Sequence, residues 1–226
     1  MTALAAEDLV LSCAGRVICG PLSFAVATGT TVGLSGPSGA GKSTILRALV
    51  GLLPPAIVAA GRRTVLGVEV GAAGVDLPAL RSRAVLVGQT PVVFPASILA
   101  NATFGVRHVV RASRAELRRR AEAALVEAGL WDEVADRLDA PASELSVGQR
   151  QRLCLARALA LDPLVLLLDE PTSALDAAAT ATVEDAVAGL AGRRTVLIVS
   201  HHQPQLERLC TQVVTVAGTS PAERSV

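Results

Sequence analysis

Tyrosine is absent from this 226-residue chain, and aromatic residues make up only 2% of it, as one Trp and three Phe. A core built on large rings is therefore excluded. The 51% apolar content falls mainly to Ala, Val and Leu, which suits helices packed on a buried parallel sheet. Neither sign of charge dominates, with 21 basic against 20 acidic side chains. That balance gives no electrostatic footprint for DNA or RNA, and no nucleic-acid partner is expected. Long apolar helices are missing as well. The longest uncharged stretch, between Arg16 and Lys42, is broken by Gly20-Pro21, Gly29, Gly33 and Gly36-Pro37, and Ala48–Ala60 is short and split by Pro54-Pro55. No membrane-spanning helix is expected from either. The N-terminus has no basic flank and meets Glu7-Asp8 before any long apolar run, which argues against a signal peptide and for a cytoplasmic location. Cys13, Cys19, Cys154 and Cys210 form no CxxC pair and have no histidine at zinc spacing. They read as small buried hydrophobes rather than a disulfide or metal framework.

What is present has the order of an α/β domain. Val10–Leu11, Val17–Cys19 and Leu22–Val26 read as short strands of an N-terminal antiparallel region. Thr31–Ser35, Val65–Val70 and Ala84–Gly88 read as further strands, and Lys42–Val50 as a helix stopped by Gly51. From Thr90 to Ala142 the chain turns helical. There Ser113-Arg114-Ala115-Glu116 has the form of a capping box and Gly129 supplies the stop. Arg118, Arg119 and Arg120 fan around that helix as a solvated surface. Beyond Val147, helix (Gly148–Leu161), strand (Leu164–Leu168), helix (Ala177–Ala191) and strand (Thr195–Ser200) alternate as in a parallel sheet.

Three motifs carry chemistry. Gly36-Pro37-Ser38-Gly39-Ala40-Gly41-Lys42-Ser43-Thr44 fits G-x-x-x-x-G-K-[ST] in full and lies between an expected strand and an expected helix. The glycines let backbone amides turn inward around phosphates, Lys42 brings a point charge to the β- and γ-oxygens, and Ser43 offers a hydroxyl to Mg²⁺. By itself this loop serves a kinase, a GTPase or a transport ATPase equally well. Val165–Glu170 reads VLLLDE, a buried strand ending in two acids at the edge where open α/β sheets bind ligands. Asp169 is placed to hold Mg²⁺ and Glu170 to polarise an attacking water; capping of the next helix is the structural alternative. The third motif is Leu145-Ser146-Val147-Gly148-Gln149-Arg150-Gln151-Arg152, which opens a helix shortly before the acidic strand.

With this third motif the chain resembles the ATP-binding-cassette (ABC) ATPases, whose signature motif it matches. The order agrees along nearly the whole chain: phosphate loop, Gln89 after a strand, helical insertion, signature, acidic strand, Ser173-Ala174-Leu175-Asp176, then Ser200-His201 after a strand. The resemblance implies a P-loop core with a parallel sheet, an N-terminal antiparallel β region and an inserted α-helical subdomain. It divides residues 1–226 into a core of 1–88 and 145–226 and an insertion of 89–144. It implies Mg²⁺–ATP as ligand and a second cassette as partner, with each phosphate loop facing the other chain's Ser146, Gly148 and Gln149. Asp176 would lie at the seam, Gln89 at Mg²⁺ or the attacking water, and His201 at the γ-phosphate, with His202 second to it. Integral membrane permease subunits would complete a transporter on the cytoplasmic face. The alternatives are a soluble ABC-type ATPase acting on DNA or ribosomes and a regulatory nucleotide-binding module.

Two departures from the family pattern stand out. Val147 replaces the usual second glycine of the signature, so an ordinary conformation is expected there, with Gly148 supplying the close approach. No aromatic lies between Met1 and Phe24 to stack on adenine. Cys13 is the expected apolar contact in its place, leaving most of the grip to the phosphates. Phe94 and Phe104, in the stretch Gln89–Gly105, fit either docking of a membrane subunit or packing within the helical insertion.

Overall fold

The computed structural model describes residues 1–217. Among the described residues, nine strands form two sheets. An antiparallel sheet has the order β2-β1-β4-β5, built from β1 (Thr2–Cys13), β2 (Arg16–Ala27), β4 (Ile57–Val65) and β5 (Val68–Glu69). A parallel sheet has the order β6-β7-β8-β3-β9, from β6 (Ala84–Val87), β7 (Val165–Asp169), β8 (Thr195–Val199), β3 (Thr31–Ser35) and β9 (Gln212–Thr215). Helix α1 (Lys42–Leu49) follows β3, and α2 (Leu77–Arg83) leads into β6. Helices α3 (Ile98–Ala102), α4 (Phe104–Val109), α5 (Arg114–Glu127) and α6 (Trp131–Val134) come between β6 and α7 (Val147–Leu159). Helices α8 (Ala177–Ala188) and α9 (Gln203–Leu209) complete the parallel crossovers. None of these helices is long and apolar enough to cross a membrane, among the described residues.

The parallel strands are apolar runs because both faces are covered. Every residue of β7 and β8 is buried, and successive side chains alternate between two cores. Val165, Leu167, Leu197 and Val199 meet α1 residues Ile45, Leu46 and Leu49 and the antiparallel sheet. Leu166, Leu168, Val196 and Ile198 face the other way, toward α7, α8 and the inserted helices. The four cysteines are free thiols, and burial pushes those of Cys19, Cys154 and Cys210 up, Cys210 to about 11.

Several local expectations change. The three short N-terminal strands are two long ones, joined at Ala14-Gly15, where both residues have positive φ as a two-residue hairpin turn requires. The pairing is interrupted near Asp8 and Gly20, which also have positive φ. A Cβ on Gly20 would sit 2.1 Å from the Leu9 carbonyl oxygen, so that irregularity demands glycine. Val65–Val70, expected as one strand, is split by a turn at Leu66-Gly67, and Ile57–Val65 is a strand that the sequence pattern hid behind Gly61. Helix ends hold better. After α1 the amide of Leu52 donates to the Arg47 carbonyl and that of Gly51 to Ala48, and after α5 Leu130 and Gly129 repeat this with Leu125 and Val126, both in the Schellman pattern. The expected capping box at Ser113 is only half made. Ser113 Oγ accepts the Glu116 amide at 3.2 Å, but the Glu116 carboxylate pairs with Arg119 and Arg120 rather than turning back.

The inserted helices depend on a residue that no sequence pattern singled out. Asn101 is fully buried in α3. Its Nδ2 donates to the carbonyls of Phe94, Ala96 and Ser97, while its Oδ1 accepts from the Phe94 amide and the Arg157 guanidinium. One amide thus satisfies the backbone of the loop after β6 and ties it to α7. Replacing Asn101 by Leu strands these groups out of water. The free energy of unfolding should fall by about 2–4 kcal/mol, as measured by urea denaturation.

Candidate functional site

Strands β7, β8 and β3 are neighbours and run the same way, so their C-terminal ends share one edge. The chain leaves β3 into Gly36–Gly41, leaves β7 at Glu170 and leaves β8 at Ser200-His201. Positive φ occurs at Gly36 (145°), Gly39 (79°) and Gly41 (86°). A Cβ on Gly36 would meet the Val216 carbonyl oxygen at 2.4 Å, and one on Gly41 would press on Cys19 and Ile18 at 3.1 Å. The loop therefore keeps its amide-lined turn only with glycine there. Gly41 caps α1, whose N-terminus carries the partial positive charge of the helix dipole.

Lys42 is the only lysine in the sequence. Its side chain is 6% exposed, and Nζ donates to the carbonyls of Gly36 at 2.8 Å and Pro37 at 2.9 Å. Among the described residues it has no carboxylate partner, so its charge faces the loop uncompensated. Ser43 Oγ donates to Asp169 Oδ1 at 2.8 Å, bringing together two hard oxygen donors of the kind Mg²⁺ takes. Burial pushes the Asp169 carboxyl up; the Ser43 hydrogen bond, Arg47 and Lys42 oppose this, and Glu170 adds to it. No group of three or more His, Cys, Asp or Glu able to hold a metal exists among the described residues. A cation here would be held by one carboxylate, one hydroxyl and substrate phosphates, which is the usual Mg²⁺–nucleotide arrangement.

The expected catalytic residues converge on the same opening. Glu170 has φ 46°, a strained conformation for a residue with a Cβ, and its amide donates to the Val199 carbonyl of β8 at 3.0 Å. Gln89 Nε2 donates to Glu170 Oε2 at 3.4 Å and to Ser173 Oγ at 3.3 Å. His201 Nδ1 lies 3.0 Å from Glu170 Oε2. Gln89, Glu170 and His201 line one cleft of about 600 Å³ with Ser38, Lys42 and Ser43. His202 instead occupies the N-cap of α9. Cys13, expected near the base, does not line this cleft; Ile18, on the partner strand of the hairpin, is the apolar side chain there. The Ala14-Gly15 turn carries β2, with Ile18, across the loop.

The signature residues form a separate opening of about 350 Å³, lined by Ser146, Val147, Gly148, Asp176 and Ala179 among others. It shares no lining residue with the first. Ser146 caps α7: its Oγ accepts the Gln149 amide at 3.2 Å, while Gln149 Oε1 accepts the Ser146 amide at 2.9 Å. This is the capping box that Ser113 lacks. The Gln149 side chain is engaged at both ends, since its Nε2 also donates to Glu133 at 2.7 Å. Glu133, which no motif singles out, also pairs with Arg152 of the signature. Burial alone would raise the Glu133 carboxyl, but hydrogen bonds from Arg152 and Gln149 and the charges of Arg152 and Arg137 hold it below the usual range. Asp176 caps α8, accepting the Ala179 amide at 2.8 Å.

Val147 takes an ordinary helical conformation at the first position of α7 and is 48% exposed. Gly148 makes its close approach within the chain, since a Cβ there would sit 2.9 Å from Ala179 Cβ on α8. Gly148→Ala should push these helices apart and lower stability by about 1–2 kcal/mol, the usual cost of overpacking, as read by thermal unfolding.

Phe94 and Phe104 pack on each other with ring centroids 4.2 Å apart, and the Arg157 guanidinium lies 4.5 Å from the Phe94 centroid. Phe104 keeps an exposed edge beside an apolar groove of about 310 Å³ between β6 and α7.

The model of the ABC transporter family matches residues 19–173. Among solved structures, a bacterial Atm1-family ABC exporter with ATP bound is similar at 30% sequence identity, with a TM-score of 0.80. That match covers 96% of this chain and 38% of the exporter chain, so this sequence spans well under half the length of that protein. A family match over most of the sequence, on a fold shared with an ATP-bound exporter, means that this chain belongs to the ABC transporter family and carries its ATP-binding ATPase module.

Proposed function

We propose that this chain hydrolyses ATP as the nucleotide-binding subunit of a transporter, paired with a second cassette and driving integral membrane subunits from the cytoplasmic face. One observation carries this reading. The phosphate-loop cleft and the Ser146 opening share no lining residue, which suits a site whose two halves come from two chains. In that arrangement the loop amides, Lys42 and the α1 N-terminus hold the phosphates of ATP. The free amides at the start of the partner's α7, with Ser146, close on the γ-phosphate, and Asp176 lies at the seam. Ser43 and Asp169 would hold Mg²⁺, which would neutralise phosphate charge when bound.

Hydrolysis forms a bond from water oxygen to the γ-phosphorus and breaks the bond to the β-phosphate oxygen, and Glu170 receives the water proton. Gln89 and His201 fix the Glu170 carboxylate, and His201 reaches the γ-phosphate. Such reactions are accelerated by positioning and charge stabilisation rather than covalent chemistry. The exposed groove at Phe104 is the surface we assign to the membrane subunit.

Glu170→Gln should lower phosphate release at least about a hundredfold while preserving or tightening ATP-dependent dimers on size-exclusion chromatography. Failure of that variant to dimerise with ATP would sink the two-chain site. Lys42→Ala should lose nucleotide binding itself by roughly tenfold or more, measured by a fluorescent ATP analogue. Purification from membranes should recover an integral membrane protein; recovery of ribosomes or chromosomal DNA alone would defeat the transporter reading.

A further inference from the structure

Behind the Glu170–His201 pair lies a buried polar hub that the proposed mechanism leaves unused. Gln205, 1% exposed on the first turn of α9, donates through Nε2 to Thr172 Oγ1 at 2.8 Å and to Glu184 Oε1 at 3.0 Å. Glu184 lies on α8, is 6% exposed, and accepts the Arg208 guanidinium through its other oxygen. Three elements therefore meet at one amide: the turn after β7, two residues beyond Glu170; helix α8, which Asp176 caps; and α9, which begins directly after His201-His202.

Glu170 sits at positive φ, a conformation that persists only where surrounding contacts over-determine it. The amide of Glu170 donates to Val199, which holds the start of the turn. Its far side, Thr172, is held by Gln205. His201 is 66% exposed at its side chain and touches Glu170 at 3.0 Å, so its position follows from where α9 starts. The Gln205 amide joins these two turns across the β7–β8 boundary. A buried amide is a demanding choice for mere filling, since unmet polar groups are costly there, and Gln205 Oε1 has no partner among the described residues.

We propose that Gln205 is a positioning residue: by bridging Thr172 and Glu184 it sets the separation of the Glu170 and His201 turns. It acts through Thr172 on one side and the start of α9 on the other, and does not itself touch ATP. This inference rests on the hydrolytic reading given above.

The test compares Gln205→Leu, which keeps volume and removes the amide, with Thr172→Val, which keeps shape and removes the hydroxyl, and with the double variant. Each single change should lower kcat by roughly ten- to a hundredfold with KM for ATP within about twofold, because the phosphate loop is untouched. The double variant should be no slower than the slower single, since both cut the same link. The chain has three histidines, so the His201 ring nitrogen signals are separable by NMR. They should move in Gln205→Leu and in Thr172→Val alike. Unchanged kcat in both single variants, losses that multiply in the double variant, or unmoved His201 signals would each overturn the proposal. If Gln205→Leu does not fold, Thr172→Val alone carries the kinetic and spectroscopic comparison. A parent protein without turnover would defeat the hydrolytic reading instead, and the His201 signals would still report on the link.

Discussion

Strands β3, β7 and β8 lie side by side, parallel, in register and covered on both faces, and the rest of the molecule depends on that. Burial of Val165–Leu168 and Thr195–Val199 from both sides fixes the height at which each strand ends, because a slip of one residue would turn every side chain into the wrong core. Three loops then leave the sheet at one level. The glycine loop, the strained Glu170 and His201 are thereby brought together, and side-chain contacts such as Ser43 to Asp169, Gln89 to Glu170, His201 to Glu170 and Gln205 to Thr172 adjust them. The aliphatic core is thus the source of the site's precision. An aromatic-poor composition serves this purpose well, since Ala, Val and Leu pack closely between strand and helix without polar tips to satisfy.

How much of this was legible in the sequence depended on whether a residue's task was local. Glycine loops, caps and buried runs obey short-range rules, and Thr31–Ser35 and the Gly51 and Gly129 helix stops emerge as read. Strand lengths in the antiparallel sheet did not, because Asp8, Gly20 and Gly61 interrupt the alternation while the pairing continues past them. The Leu66-Gly67 turn was hidden by a leucine at a position usually taken by Asn, Asp or Gly. Asn101, Glu133, Gln205 and Glu184 stayed invisible for a different reason. Their partners lie on other elements, and single buried polar residues in helices carry no spacing that betrays them. The cleft wall shows the same limit: placing Ile18 in it required knowing where the first hairpin turns.

The signature region illustrates how one residue type meets two demands. Gly148 has an explanation inside the chain, the approach of α7 to Ala179, before any second chain is invoked. Gln149 and Ser146 likewise complete each other's hydrogen bonds, which leaves the amides of Val147 and Gly148 as the free donors of that helix end. Val147, helical and outward-facing, lines the opening in an ordinary helical conformation.

Lys42 has one last consequence. Every other basic side chain is a guanidinium or an imidazole, so Lys42 carries the one side-chain amine. Acetyl, ubiquityl or any other lysine-directed tag has a single side-chain address on this chain, and that address lies inside the phosphate cradle between two carbonyls. Side-chain labelling aimed at amines, as distinct from labelling of the α-amino group, will report the occupancy of the site or destroy it.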